Sequence, residues 1–153
     1  MYKYVFVWGI MSNFSKRLLE FMAEQNLNAA SLAKKLGVRH TTIGRYISGE
    51  RTPKFSCFVD MLYLFNCSAD YLLGLVDLHT EEPLHPVPTF SIRLHTLLKE
   101  RNITQAKLIA ELPLSSAVPY KWLSGINTPS TESLIRLAEY FECSVDYLIG
   151  RVK

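Results

Sequence analysis

The sequence predicts an all-α protein made of two tandem five-helix domains joined by a proline-containing linker, and three observations carry that prediction. The 61 residues from Phe14 to Gly74 lie over Phe90 to Gly150 without a gap and with twenty identities, where chance matches about one column in fifteen. Identical pairs include Arg17/Arg93, Leu18/Leu94, Glu24/Glu100, Leu32/Leu108, Ser48/Ser124, Gly49/Gly125, Pro53/Pro129, Phe65/Phe141, Cys67/Cys143, Asp70/Asp146, Tyr71/Tyr147 and Gly74/Gly150. Within each copy, apolar residues recur at helical spacing between Gly, Asn and Pro breakers. Leu75 to Thr89 falls outside the repeat and holds Pro83, Pro86 and Pro88. The expected division is an arm over 1–11, a first domain over 12–76, a linker over 77–89 and a second domain over 90–153.

Each element has its own local reason. The start MYKYVFVWGI reads as a short β-prone arm and lacks the charged, apolar and small-residue order of a signal peptide. Ser12 or Asn13 can cap a helix running to about Gln25, with Phe14, Leu18, Phe21 and Met22 at helical spacing. Asn26 suits the left-handed position that ends it. A short helix from about Ala29 to Leu36 is stopped by Gly37, and another from about His40 to Ser48 is stopped by Gly49. Two short helices joined by a tight turn make a helix-turn-helix. After Pro53 a fourth helix runs to about Phe65, and a fifth opens at Ser68, a good N-cap. The second copy repeats all five, and the linker prolines favour an extended tether.

Composition narrows the function class. Units of about 65 residues are near the lower size for independent folding, so each needs a dense core. A hydrophobic fraction of 48% supplies it and, with eight Phe and eight Tyr, excludes a disordered chain. The net charge of +3 does not by itself point to nucleic acid, but its distribution is uneven. Between Asn28 and Ser56 stand Lys34, Lys35, Arg39, Arg45, Arg51 and Lys54 against the single acid Glu50. The matching segment from Thr104 to Glu132 has Lys107 and Lys121 against Glu111 and Glu132, a net of zero.

Cys57, Cys67 and Cys143 form no close-spaced pair and read as buried thiols in a reducing cytoplasm. No apolar stretch has the length of a membrane span, so no membrane partner is expected. His79, His85, Glu81 and Glu82 are ligand-type side chains, but a flexible linker rarely preorganises a metal site. His95 lies on a helix and needs no special role. With no nucleophile, paired-carboxylate or phosphate-loop constellation, the expectation is no enzyme, no cofactor, no metal and no small-molecule substrate.

The segments LNAASLAKKLGVRHTTIGRYISGERTPKFSCFVDMLYLFNCSADYLLG and NITQAKLIAELPLSSAVPYKWLSGINTPSTESLIRLAEYFECSVDYLIG both resemble the phage-repressor/Cro-type (XRE) helix-turn-helix family. The likeness rests on Leu-Ala in helix 2, Ser-Gly after the third helix, Thr-Pro before helix 4 and Tyr-Leu-x-Gly at the end. It implies two lambda-repressor-like DNA-binding domains, each placing its third helix in the major groove of double-stranded DNA. In the first copy it puts Arg39 at the N-cap of that helix, His40, Thr41, Gly44 and Arg45 toward DNA, and Ile43 and Tyr46 in the core. Arg45 can pair with guanine, Thr41 can meet a thymine methyl or a base acceptor, and His40 can donate. Lys34, Lys35, Arg51, Lys54 and the Thr42 hydroxyl would contact phosphates.

For the second copy the resemblance implies Ser116, Ala117, Tyr120 and Lys121 as the exposed face and Gln105 on a phosphate, with Lys107 nearby. In the first copy the Gln position is Ala29. Pro119 falls near the fourth residue of the second recognition helix, where it is expected to remove a hydrogen bond and constrain the turn. Where family members often bury an Arg–Glu pair, this chain has Met22 with Ile47 and Leu98 with Leu123, an exchange that can be neutral or stabilising.

The expected function is a sequence-specific transcriptional regulator, a repressor with two fused reading heads. Fifteen linker residues at roughly 3.1 Å each would reach about 45 Å, beyond the ~34 Å between adjacent half-sites. The rival reading keeps DNA binding in the first module and gives the second to self-association or a regulatory protein.

Overall fold

The computed structural model describes the backbone from Val7 and the side chains from Asn13, in both cases to Lys153. Among these residues there are ten helices and no strand. They divide into two compact units, Met1–Glu81 and Glu82–Lys153. The first contains α1 (Val7–Glu24), α2 (Ala29–Leu36), α3 (His40–Ser48), α4 (Phe55–Phe65) and α5 (Ala69–Leu72). The second contains α6 (Phe90–Glu100), α7 (Gln105–Glu111), α8 (Ala117–Leu123), α9 (Thr131–Tyr140) and α10 (Val145–Leu148). The all-α, twice-five-helix expectation holds.

The expected start of α1 does not. The helix begins at Val7, not after a cap at Ser12 or Asn13, so the β-prone arm is helical from Val7 onward, and the rest of the arm lies outside the described residues. Extending a formed helix adds one backbone hydrogen bond per residue, and that outweighs the modest capping preference of Ser or Asn.

Elsewhere the breakers act as read. Asn26, Gly37 and Gly49 adopt positive φ after α1, α2 and α3. Ser68 and Ser144 cap α5 and α10 by accepting from the backbone N–H of Tyr71 and Tyr147 at 3.1 and 3.0 Å. The first core gathers Phe14, Leu18, Leu32, Ile43, Met61, Leu62, Leu72 and Leu73, with Phe21 stacked on Phe65 at 4.8 Å. Leu94, Leu97, Leu108, Trp122, Leu134, Leu137 and Leu148 form its counterpart. Each such side chain contributes roughly 1.5–3 kcal/mol on burial. Met22, Leu98 and Leu123 are buried, and Ile47 is half-buried. Cys57 and Cys67 are buried thiols, while Cys143 is only partly covered.

The linker is held at both ends. In the first unit Arg17 donates to the Val76 carbonyl at 3.4 Å and lies 3.9 Å from the Asp77 carboxylate, and His79 stacks on Tyr71 at 3.8 Å. In the second, His85 N–H donates to Arg151 O at 2.7 Å and Arg151 Nη1 donates to His85 O at 3.0 Å. The stretch between these anchors is Thr80–Leu84.

Candidate nucleic-acid interface

α2 is fixed at its start by bonds between near neighbours. Asn28 Oδ1 accepts from Ser31 N at 2.8 Å and Ser31 Oγ accepts from Asn28 N at 2.9 Å, a reciprocal capping box that fixes where the helix begins. Burial of Leu32 and Ala33 turns Lys34 and Lys35 outward in the last turn, where cations also complement the helix dipole. Gly37, at φ 66°, reverses the chain, and Val38 N–H closes the turn on Ala33 O at 3.0 Å.

α3 then starts at Arg39, an extended N-cap whose own side chain does not cap. Ile43 and Tyr46 are 0% and 3% exposed, which turns His40, Thr41, Gly44 and Arg45 to solvent and leaves Thr42 half-exposed. Ser15 Oγ donates to Tyr46 O at 2.6 Å and ties α3 to α1. A Cβ on Gly44 would meet nothing within 4 Å, so internal packing does not require glycine there. Exposed Arg51 and Lys54 follow the helix. A shallow depression of about 570 Å³ lies at the turn, lined by Ala30, Ala33, Lys34, Val38, Arg39, His40 and Thr41. The first unit thus brings all its expected contact residues onto α2, the turn after it, α3 and the loop after α3.

Behind this face the chemistry is neutral. Burial raises the Tyr46 hydroxyl to about 12, and burial likewise pushes the Cys57 thiol up, so both keep their protons. A protonated, buried thiol is no nucleophile.

The second unit presents Gln105, Lys107, Ser116, Ala117, Tyr120 and Lys121 to solvent as expected, on a different frame. Pro113 stands where the first unit has Gly37 and cannot supply the closing N–H, so α7 ends at Leu112 in an extended conformation. Leu114 N–H bonds Leu112 O at 2.8 Å instead. α8 has seven residues against nine in α3, and Ser116 is its N-cap. Pro119 therefore lies in the first helical turn, where an N–H has no partner inside the helix. Ser115 O accepts from Val118 N–H at 2.9 Å, so the expected disruption at Pro119 does not arise.

His95 has a role that its place on a helix did not reveal. Its Nε2 lies 3.0 Å from Leu123 O at the end of α8, and its Nδ1 lies 3.4 Å from Gln105 Nε2. Lys107 is 3.9 Å from Glu111, whose carboxylate also accepts from the Tyr140 hydroxyl at 2.7 Å. At the positions of Gly44 and Glu50 the second unit has Tyr120 and Ile126, 60% and 65% exposed.

Two family comparisons settle the class of these units. Residues 18–72 match the family described as Helix-turn-helix, and residues 93–153 match the one described as Cro/C1-type HTH DNA-binding domain. The chain carries two tandem helix-turn-helix domains of the Cro type (XRE family).

Relatives of these helix-turn-helix domains include a Bacillus subtilis protein named Uncharacterized HTH-type transcriptional regulator YobD. It is 30% identical over 64 residues, covering 42% of this chain and 57% of the relative. The Cryptic phage CTXphi transcriptional repressor RstR of Vibrio cholerae is 37% identical over 59 residues, covering 39% of this chain and 53% of the relative. The chain therefore spans only about half the length of these relatives. No solved structure matches it. No described helix is long and apolar enough to cross a membrane.

Three residues of the helix-turn-helix faces escaped sequence reasoning. Pro113 was visible as the Pro in ELPL opposite the Gly in KLGV. Glu50, the lone acid of a cationic segment, sits with its carboxylate 3.8 Å from Arg45 Nε. His95 carried no signal, because its partners are 10 and 28 residues away.

Proposed function

We propose that the protein is a sequence-specific transcriptional regulator that represses by occupying DNA, with the first helix-turn-helix domain as its principal reader. The observation that carries this reading is the partition of α3, with Ile43 and Tyr46 buried and His40, Thr41, Gly44 and Arg45 exposed among six cations and one acid. Such a helix can enter a major groove while Lys34, Lys35, Arg51, Lys54 and the Thr42 hydroxyl hold the phosphates on either side. Arg45 and Thr41 supply base-edge contacts, Arg39 and His40 reach the first bases or the backbone, and the bare Gly44 admits close approach. The domains extend over 12–76 and 90–153, with 77–89 between them, and the protein works in the cytoplasm, where its DNA is. Repression by occlusion requires nothing beyond tight binding, and one relative is named as a repressor.

A second reading for the second domain rests on its own observation. Its face is net neutral and shows Tyr120 and Ile126 where the first has Gly44 and Glu50. That surface suits self-association or a regulatory protein better than phosphate. Gln105, Lys107, Ser116, Ala117, Tyr120 and Lys121 are the contacts to DNA if this domain also reads it.

Selection of duplexes from a random pool by the intact chain tests the whole reading. Enrichment of one short motif is expected from a single reading head, and two motifs at fixed spacing from two. A pool that stays random after several rounds contradicts sequence-specific binding.

A further inference from the structure

We infer that Glu50 is a specificity-determining residue of the first domain, aiming Arg45 at a guanine and rejecting other DNA. The inference rests on the DNA-reading function proposed above and names how that site discriminates. The loop after α3 holds Glu50 in place: Gly49 takes φ 78°, Ser48 Oγ donates to Arg45 O at 3.2 Å, and Arg51 N–H donates to the same carbonyl at 3.2 Å. Glu50 is thereby folded back beside the side chain of the residue whose carbonyl anchors the loop. Its carboxylate lies 3.8 Å from Arg45 Nε.

A guanidinium contacted on its Nε edge presents its two terminal nitrogens outward, and that fork pairs with guanine O6 and N7. Both partners are more than half exposed, so the pair contributes little to folding, and stability does not explain it. The second domain provides an internal control. Ser124 Oγ, Ile126 N–H and Asn127 N–H converge on Lys121 O at 3.3, 3.0 and 3.2 Å in the same kind of loop. There the carboxylate is replaced by Ile126 and the fork by a lysine, which is a point charge.

Glu50 also acts against unspecific binding. A carboxylate held at the groove repels phosphate, and only a duplex offering the right base to Arg45 offsets that repulsion. Removing the charge should therefore strengthen binding to random DNA while weakening discrimination.

The test uses the full-length chain and its Glu50→Gln and Glu50→Ala variants. Binding is measured to the duplex selected by the wild type, to that duplex with the guanine facing Arg45 changed to adenine, and to random DNA. The expected result is tighter binding of both variants to random DNA, a fall of about fivefold or more in the guanine-to-adenine ratio, and an unchanged melting midpoint. A wild-type preference for guanine that both variants keep overturns the role of Glu50 alone. A wild type with no preference among duplexes overturns the DNA-reading function and this inference with it.

Discussion

The Arg17 guanidinium lies 4.2 Å over the ring of Tyr71, 54 residues away, and donates to its hydroxyl at 3.2 Å. Arg93 repeats the placement 4.9 Å over Tyr147, where it donates to the Tyr147 carbonyl at 2.6 Å. A planar cation on an aromatic face thus fastens the first helix of each unit to its last. Arg17→Ala and Arg93→Ala should each lower stability by about 1–2 kcal/mol, and Lys at either position should recover only part of it. Urea unfolding of the variants checks this, and a full rescue by Lys would show that charge alone suffices.

Glycine substitutions should separate backbone strain from crowding. Gly37 has φ 66° with nothing within 4 Å of an added Cβ, whereas Gly74, at φ 70°, would place that atom 2.5 Å from Asn13 Cβ. Gly37→Ala should cost about 1 kcal/mol from strain, and Gly74→Ala clearly more. Equal losses in thermal unfolding would remove the close approach of Gly74 to α1.

Alkaline stability should follow two tyrosines. Tyr46 and Tyr140 are both raised to about 12, each first by burial and Tyr140 also by its bond to Glu111. Since unfolded tyrosine ionises near pH 10, their contribution is complete below pH 10 and is lost as the pH rises toward 12. Denaturation midpoints should fall across that window, and Tyr140→Phe should fall less steeply than the wild type. Parallel curves for the two proteins would contradict the assignment.

Much of this fold was legible because its punctuation is local. Asn26, Gly37 and Gly49 each stop a helix by taking positive φ, a property of the residue and its neighbours. The burial of Ile43 and Tyr46 beside exposed Thr41 and Arg45 is as the family resemblance implied, and it agrees with a helical period. What escaped depends on competition or distance. Val7 is helical because propagation outweighs β propensity, and Pro119 is tolerated because the helix starts later than the repeat register implied. The anchoring of His79 on Tyr71 and of His85 on Arg151 joins residues that no periodicity relates.

Base reading and phosphate holding should separate by mutation. Arg45→Ala should weaken binding to the selected duplex by ~1–3 kcal/mol and relax preference at one base pair. Lys35→Ala should weaken all duplexes alike and flatten the salt dependence by about one phosphate. Titrations against selected and random DNA distinguish the two, and identical behaviour would contradict base reading by α3.

The asymmetry between the two domains is tested most directly by the salt dependence of DNA binding by the intact chain. Three proteins are compared: the wild type, a first-domain variant with Lys34, Lys35, Arg51 and Lys54 changed to Ala, and a second-domain variant with Gln105, Lys107 and Lys121 changed to Ala. Four neutralised phosphates correspond to a slope of about −3.6 in log affinity against log salt. The first-domain variant should lose most of the affinity and most of that slope, and the second-domain variant should keep both. Equal losses from the two variants would contradict the account and make the chain a two-headed reader with its binding shared evenly.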